Sequence, residues 1–319
     1  VLVYSIPMRN RFRGITVREG VLLEGSAGWG EFCAFLDYSD EECAPWLACA
    51  LEAAEQGWPA PVRSEIPVNC TVPVVSPERA HEIVARSGCS TAKVKVADPG
   101  TPPADDLARV EAVRDALGQS GAIRVDANMA WDVDTAVAAI RELDRAARGL
   151  EYVEQPCPSI EELAAVRRRV DVRIAADESI RRAEDPLKVA VAGAADVAVI
   201  KVAPLGGVRR ALAVAEACGL PCVVSSAVET SVGMAAGLAL AAALPELDFA
   251  CGLGTLPLLT GDVTTDSLVP VNGHLPVPTH APNPDRFTDF AADPSTTTRW
   301  LTRLDRVREV ARASGRGRP

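Results

Sequence analysis

The sequence predicts an α/β protein: a closed barrel of parallel strands alternating with helices, preceded by a smaller antiparallel unit. Three observations lead there. From about residue 68, short Val/Ile/Ala-rich runs alternate with helical stretches, and the runs are apolar throughout, as parallel strands covered on both faces are. Polar residues close successive runs at Lys95, Asp126, Glu154, Asp177, Lys201 and Ser225. Their spacing is roughly 23 to 31 residues, the length of one βα unit. A closed barrel gathers those strand ends at one mouth, whereas a doubly wound sheet would scatter them along an open edge.

In the first unit, residues 1–67, Ile15 to Glu24 alternates apolar and polar residues around Glu19-Gly20, which predicts a hairpin turning there. Arg9, Arg11 and Arg13 fall in the short loop ahead of it. Gly28 to Cys33 reads as the end of that sheet, and Glu41 to Gln56 as a helix stopped by Gly57. The barrel, residues 68–254, takes its strands from Val68–Val75, Thr91–Val96, Ile123–Asn128, Leu150–Pro156, Arg173–Ser179, Val197–Val202, Cys222–Ser226 and Phe249–Gly252. Between them the periodicity predicts helices over Pro77–Ser87, Ala104–Leu117, Val133–Arg148, Ile160–Val170, Pro186–Ala192, Val208–Cys218 and Ser231–Leu244. In the last segment, 255–319, Asp262–Pro278 is rich in Thr, Pro and Gly and is expected to run extended back to the N-terminal sheet. Pro282–Thr298 reads as loop, Thr298–Ser314 as an arginine-rich helix and Gly315–Pro319 as a frayed end.

Hydrophobic residues make up 48% of the 319 positions and charged residues 24%, enough for a sizeable core. A net charge of −10 argues against nucleic-acid and anionic-membrane partners, which need a basic surface. The N-terminal residues lack the pattern of a signal peptide, no run is long enough to span a bilayer, and the nine cysteines are scattered without a Cys-x-x-Cys. Together these predict a cytoplasmic protein with reduced, mostly buried thiols and a small-molecule substrate. The oligomeric state is not legible.

Carboxylates are costly to bury unless they are paired or bind a metal. Asp126, Glu154 and Asp177 each close an apolar run, which points to a cation at the barrel mouth. Oxygen donors without Cys or His suit a hard divalent ion, Mg2+ first and Mn2+ nearly as well. Lys93 and Lys95 share a face of one strand, and the helix layer would desolvate both ammoniums, so both are expected to point into the mouth. Lys201 lies on the other side of the acids in chain order. A divalent ion on a substrate carboxylate stabilises the dianion formed when the α-carbon loses its proton. Close positive neighbours lower a lysine's pKa and let it act as the base. Singly, each residue has a plainer reading: a solvated lysine pair, helix N-caps at Asp126 or Asp177, a loop glutamate. Their recurrence at one-unit spacing favours the metal site. A Schiff-base lysine at Lys201 and a non-catalytic binding barrel are the competing readings. His81, His274 and His280 fall away from strand ends and are expected to be non-catalytic.

As a set, Lys93-Val-Lys95, Asp126, Glu154 in Val-Glu-Gln-Pro, Asp177 in Ala-Asp-Glu-Ser and Lys201 in Ile-Lys-Val resemble the enolase superfamily, in its muconate-lactonizing subgroup. Gly28-Trp-Gly-Glu31 resembles the end of that family's capping hairpin. The resemblance covers nearly the whole chain. It implies a modified TIM barrel, (β/α)7β, over 68–254, with an α+β capping domain over 1–67 to which 255–319 returns. It further implies Mg2+ held by Asp126, Glu154 and Asp177. Lys95 would be the base that removes a proton α to a carboxylate, Lys93 would stabilise the enediolate beside the metal, and Lys201 would stand opposite. Ile6–Ile15, Trp29–Phe32 and Val224–Gly233 resemble actinobacterial members that dehydrate a succinyl-bearing cyclohexadiene carboxylate to an aromatic product for menaquinone. Relatives that racemise N-acylamino acids, epimerise dipeptides or cycloisomerise keep the same lysines, so that chemistry stays open. Asn128 is expected beside Asp126, and Gly252 where the succinyl chain passes. One of Ser225 and Ser226 is expected to bond substrate while the other caps the next helix. Arg9, Arg11 and Arg13 are expected to be solvated surface, with the succinyl carboxylate as their alternative partner.

Overall fold

The computed structural model of the chain describes residues 1–181, 187–191 and 193–313. The N-terminal unit is a three-stranded antiparallel sheet, β1 (Leu2–Phe12), β2 (Ile15–Gly25) and β3 (Gly28–Phe32), backed by α1 (Asp40–Glu55). α1 begins at a capping box between Ser39 and Glu42. The turn expected at Glu19-Gly20 is not there. β2 runs straight through that pair, and the chain reverses at Arg13-Gly14, whose φ values of 48° and 79° are both left-handed. Gly20 serves packing instead. A Cβ there would stand 2.7 Å from both the Tyr4 hydroxyl and the Cys33 Cβ. The same correction moves Arg9 and Arg11 out of a loop and into β1, leaving Arg13 in the turn.

Gly30 does for helix packing what Gly20 does within the sheet. A Cβ on it would lie 1.9 Å from the Ala50 carbonyl oxygen of α1. Backbone lies on both sides of that contact, so neither partner can yield cheaply. Gly30→Ala is expected to cost about 3 kcal/mol of stability, read as a lower urea midpoint with an unchanged slope. An unchanged midpoint would contradict this packing.

Parallel strands then alternate with helices. In chain order they are β4 (Glu65–Val72), α2 (Pro77–Ser87), β5 (Thr91–Lys95), α3 (Pro103–Leu117), β6 (Ala122–Asp126), α4 (Val133–Ala147), β7 (Tyr152–Glu154), α5 (Ile160–Arg167) and β8 (Ile174–Ala176). There follow α6 (Glu178–Arg181), α7 (Leu187–Val191), β9 (Val197–Ile200), α8 (Val202–Leu205), α9 (Val208–Cys218), β10 (Cys222–Val224), α10 (Ser231–Ala243) and β11 (Cys251–Gly254). Pro186 and Ala192, at the ends of the expected helix around α7, lie outside the described residues. The ladder runs from β4 to β10 in sequence order, β11 pairs with β4, and a bridge between Ser225 and Gly252 closes the ring.

Register decides what fills the ring. Thr71, Lys93, Arg124 and Tyr152 are successive neighbours across β4 to β7 and make one inward layer. Lys95, Asp126 and Glu154 make the next layer toward the mouth. The remaining interior is an apolar cluster of Tyr152, Ala175, Val197, Val199, Val223 and Phe249, separate from the larger core between strands and helices. Arg124 anchors the floor. It is ion-paired with Glu151, bonded to Asn69 and to the Ala250 carbonyl, and its guanidinium lies against the Tyr152 and Phe249 rings. A floor sealed in this way leaves the C-terminal mouth as the open end.

After β11 the chain returns to both units. β12 (His274–Pro276) pairs with β4, not with the N-terminal sheet as expected for that stretch. Residues on either side of it bridge to β1 instead, Leu259 to Met8 and Ala291 to Tyr4. Pro282–Thr298 is not all loop. α11 (Pro294–Ala313) starts inside it, where the Asp293 carboxylate accepts from the Ser295 and Thr296 amides. Asp-Pro ahead of a helix is the cap signal that the loop reading passed over. α11 lies on α1 and sends Arg303 to the Ala34, Phe35 and Tyr38 carbonyls. The expected frayed end Gly315–Pro319 lies outside the described residues. No helix among the described residues is long and apolar enough to cross a membrane.

Candidate active site

The barrel mouth opens beneath the N-terminal unit into a cavity of about 650 Å³. Strand alternation places its chemistry. Ala175 and Asp177, Val199 and Lys201, and Val223 and Ser225 are pairs two residues apart. In each pair the apolar member joins the interior cluster and the polar member stands above it at the mouth. Lys93, Lys95, Asn128, Lys201, Ser225, Ser226 and Gly252 all line the cavity. Asp126, Glu154 and Asp177 sit just beneath, fully buried behind the lysines.

The three acids and three lysines interlock. The Lys93 ammonium donates to both Glu154 oxygens, at 3.2 and 3.0 Å, and lies 3.8 Å from Asp126 Oδ2. Lys95 pairs with the Asp126 carboxylate and donates to Asn128 Oδ1 at 2.8 Å. Lys201 pairs with Asp177. Asn128 takes a left-handed φ of 45°, which turns its own amide onto Asp126 Oδ1 at 3.0 Å. Buried Gln155 accepts from the amides of Asp177 and Ser179, at 2.9 and 3.2 Å, and so fixes the end of β8. The cap of α4 is Asp132, so Asp126 does not serve that helix.

Burial alone would raise the Asp126 carboxyl, but the Lys95 and Lys93 ammoniums outweigh it and hold the group well below the ordinary carboxylate range. Burial would lower the Lys93 ammonium, and Glu154 and Asp126 more than reverse that, so it stays charged. Glu154 differs. Burial and the neighbouring Asp126 carboxylate push it up to about 7 against the pull of Lys93.

As the side chains stand, each carboxylate turns to a lysine, and among the described residues no three His, Cys, Asp or Glu groups converge on one point. The donor set nevertheless fits a hard divalent ion. It offers three buried carboxylates at consecutive strand ends, all oxygen, and the raised Glu154 marks a place still short of positive charge.

The serines part ways. Ser225 faces the cavity, with its Oγ 3.5 Å from the Lys93 ammonium. Ser226 also borders the cavity, but its hydroxyl donates to Glu229, contacts Thr255 and accepts from the Val228 amide. Neither caps α10, contrary to expectation. Thr230 does. Gly252 is held to hydrogen by Ser225, whose Oγ would lie 2.6 Å from a Cβ there. Three cavity residues were missed or undervalued. Glu178 follows Asp177 directly and could have been found by that adjacency. Arg11 and Arg13 are brought to the mouth by the true hairpin turn. The Arg13 guanidinium lies 3.9 Å over the Phe35 ring and donates to the Tyr38 hydroxyl at 2.9 Å. The three histidines are not part of the cavity wall.

Comparison with known proteins bears on this site. Residues 76–282 match the family described as Enolase C-terminal domain-like, and residues 3–54 match Enolase N-terminal domain-like. The chain is 64% identical over 305 residues to the o-succinylbenzoate synthase of Thermobifida fusca (strain YX), covering 96% of this chain and 95% of that protein. It is 55% identical over 303 residues to the o-succinylbenzoate synthase of Mycolicibacterium smegmatis, covering 95% and 93%. Among solved structures it resembles the dipeptide epimerase from Enterococcus faecalis V583 complexed with Mg and the dipeptide L-Leu-L-Tyr. That likeness has a TM-score of 0.72 at 24% identity, with 89% of this chain and 97% of that one covered, and it speaks to fold alone.

Proposed function

Because this chain belongs to the enolase superfamily, we propose that it carries out the o-succinylbenzoate synthase reaction. That reaction is the Mg2+-dependent syn-dehydration of 2-succinyl-6-hydroxy-2,4-cyclohexadiene-1-carboxylate to o-succinylbenzoate, in menaquinone biosynthesis. The observation that carries the reading is the 64% identity, sustained across 96% of the chain, with a synthase of that name.

Asp126, Glu154 and Asp177 would hold Mg2+, or Mn2+ in its place, supplying positive charge against the substrate's ring carboxylate as the α-carbon is deprotonated. The protein's own groups do the rest. Lys95, as the base, takes the proton from the ring carbon that bears the carboxylate. The same amine returns that proton to the hydroxyl leaving the adjacent carbon. The C–H and C–O bonds therefore break on one face, water departs, the ring becomes aromatic and Lys95 regains its starting state. Lys93, kept charged by Glu154 and Asp126, neutralises the charge that builds on the carboxylate. Lys201 brings an ammonium to the intermediate from the opposite side. Asn128 steers Lys95, Ser225 and Gly252 shape the wall, and Arg11 and Arg13 at the mouth suit the succinyl carboxylate. The nine free thiols accord with a reducing, cytoplasmic setting, which belongs to the same proposal.

The test is conversion of the cyclohexadiene to its aromatic product, followed by absorbance with Mg2+ and after chelation. Turnover that stops on chelation is the expected result, and no turnover with Mg2+ present would reject the reading. A second reading, racemisation or epimerisation of N-acylated amino acids or dipeptides, or cycloisomerisation, is favoured by one feature: Lys95 and Lys201 each keep a separate carboxylate partner. Solvent deuterium entering the α-position of an N-acylamino acid faster than the diene loses water would select it.

Glu154 also sets a pH dependence for the metal-free protein. Its folded pKa of about 7 lies above its ordinary value of 4.5, so the folded state holds that proton more tightly. The resulting stabilisation is full below the ordinary value and is lost as pH rises through about 7. With chelator present, the urea midpoint is therefore expected to be lower at pH 8 than at pH 6, and the difference should shrink in Glu154→Gln. Equal midpoints in the unsubstituted protein would contradict it. Below about pH 7 this proton would compete with Mg2+ for Glu154, so Mg2+ affinity should weaken as pH is lowered.

A further inference from the structure

We infer that Arg18 is a positioning residue: from the N-terminal sheet it holds the β10–α10 loop, and with it one wall of the cavity, in the shape that fits the substrate. Arg18 lies on β2 and is 2% exposed. Its Nε donates to the Val228 carbonyl at 2.9 Å and its Nη2 to the Ala227 carbonyl at 3.2 Å. The same Nη2 also reaches the Cys33 carbonyl, and the guanidinium lies 4.5 Å over the Phe35 ring. One rigid fork thus ties the sheet to two successive carbonyls of a barrel loop.

The loop it ties is not at rest. Val228 has φ 64°, a region that a β-branched residue avoids. The other side of the strained segment is held from within the barrel. Glu229 accepts from the Ala227 amide at 2.8 Å, and the Ser226 hydroxyl accepts from the Val228 amide at 2.7 Å. Farther along, Glu31 on β3 accepts from the Thr230 and Gly233 amides at the start of α10, at 3.2 and 2.9 Å. The strained loop is therefore held from two sides, its amides from within the barrel and its carbonyls from the N-terminal sheet. Ser225 to Val228 line the cavity, whereas the acids and lysines stand on β5 to β7 or one residue past the ends of β8 and β9. The clamp accordingly governs how substrate fits and leaves the proton-transfer groups where they are. Lysine is a poor substitute, since a single ammonium cannot span two carbonyls as a planar fork does.

This inference rests on the mouth cavity being the substrate site. Its test uses the full chain with Arg18→Met, Arg18→Lys, Val228→Gly and the double variant Arg18→Met/Val228→Gly. Two quantities are read: steady-state kinetics on the cyclohexadiene, and amide hydrogen exchange across residues 225–233. Arg18→Met is expected to raise KM about tenfold or more while kcat moves less than about threefold. Exchange across 225–233 should quicken while the strands bearing the lysines keep theirs. Val228→Gly in the Arg18→Met background should recover at least about half of the KM loss on a logarithmic scale, because glycine takes the left-handed conformation without the clamp. Arg18→Lys should fall between wild type and Arg18→Met. A KM within twofold of wild type in folded Arg18→Met, a loss confined to kcat, or a double variant no better than Arg18→Met would overturn the inference. If Arg18→Met does not fold, Arg18→Lys with and without Val228→Gly gives the same comparison. A wild type that leaves the cyclohexadiene untouched refutes the proposed reaction instead, and the exchange measurement then decides the clamp.

Discussion

Lys95→Ala is expected to lower kcat for dehydration by about 10⁴-fold, with the protein folded and product affinity changed only a few-fold. Both halves of the proposed reaction pass through this one amine, as base toward the α-proton and as acid toward the leaving hydroxyl. General acid–base catalysis by a positioned group contributes about 10² to 10⁴, and losing both roles at once places the loss at the top of that range. The fold should tolerate the change. Lys95 is at the cavity wall, and Asp126 keeps Lys93 at 3.8 Å and the Asn128 amide at 3.0 Å. Lys201→Ala should cost less, about 10²-fold, because that ammonium acts through its charge alone. Single-turnover absorbance on both variants checks the assignment. Loss of activity in Lys201→Ala with near-normal turnover in Lys95→Ala would reverse the two roles.

Glu154→Gln is expected to reduce kcat/KM by about 10³-fold and to abolish Mg2+ binding measured by calorimetry in millimolar metal. Glu154 is left shorter of positive charge than Asp126, since burial and the Asp126 carboxylate raise it to about 7 against Lys93 while Asp126 is held low. The amide keeps the shape of the carboxylate and removes its charge. Lys93 then leans on Asp126, which limits the structural damage. Unchanged metal affinity in Glu154→Gln would show that the ion binds elsewhere.

The site was legible because strand alternation is an arithmetic property of the chain. Once Ala175, Val199 and Val223 are taken as inward, Asp177, Lys201 and Ser225 must point to the same interior, two residues nearer the mouth. The parallel barrel was legible for a related reason, since one βα unit has a narrow length range. Other features were hidden. Gly20 sits in an alternating run, where glycine ordinarily signals a turn, and only the Tyr4 and Cys33 side chains packed on it explain its presence. Misplacing that turn put Arg9, Arg11 and Arg13 together in a loop, where a solvated surface was the favoured reading and the succinyl carboxylate only the alternative. Arg18 and Glu31 act across more than 190 residues of chain, on carbonyls and amides that carry no side-chain signal of their own. The partner of β12 was equally illegible, because a short extended segment pairs with whatever backbone is left unpaired, here Glu65–Pro67 of β4, ahead of the part of that strand paired in the barrel.

A crystal structure of the Mg2+-loaded protein with o-succinylbenzoate bound tests the central claim most directly. The account predicts one cation touching Asp126, Glu154, Asp177 and the ring carboxylate, with the Lys95 and Lys201 amines on opposite faces of the aromatic ring. A cation seated away from those three acids, or both amines on one face, would contradict it.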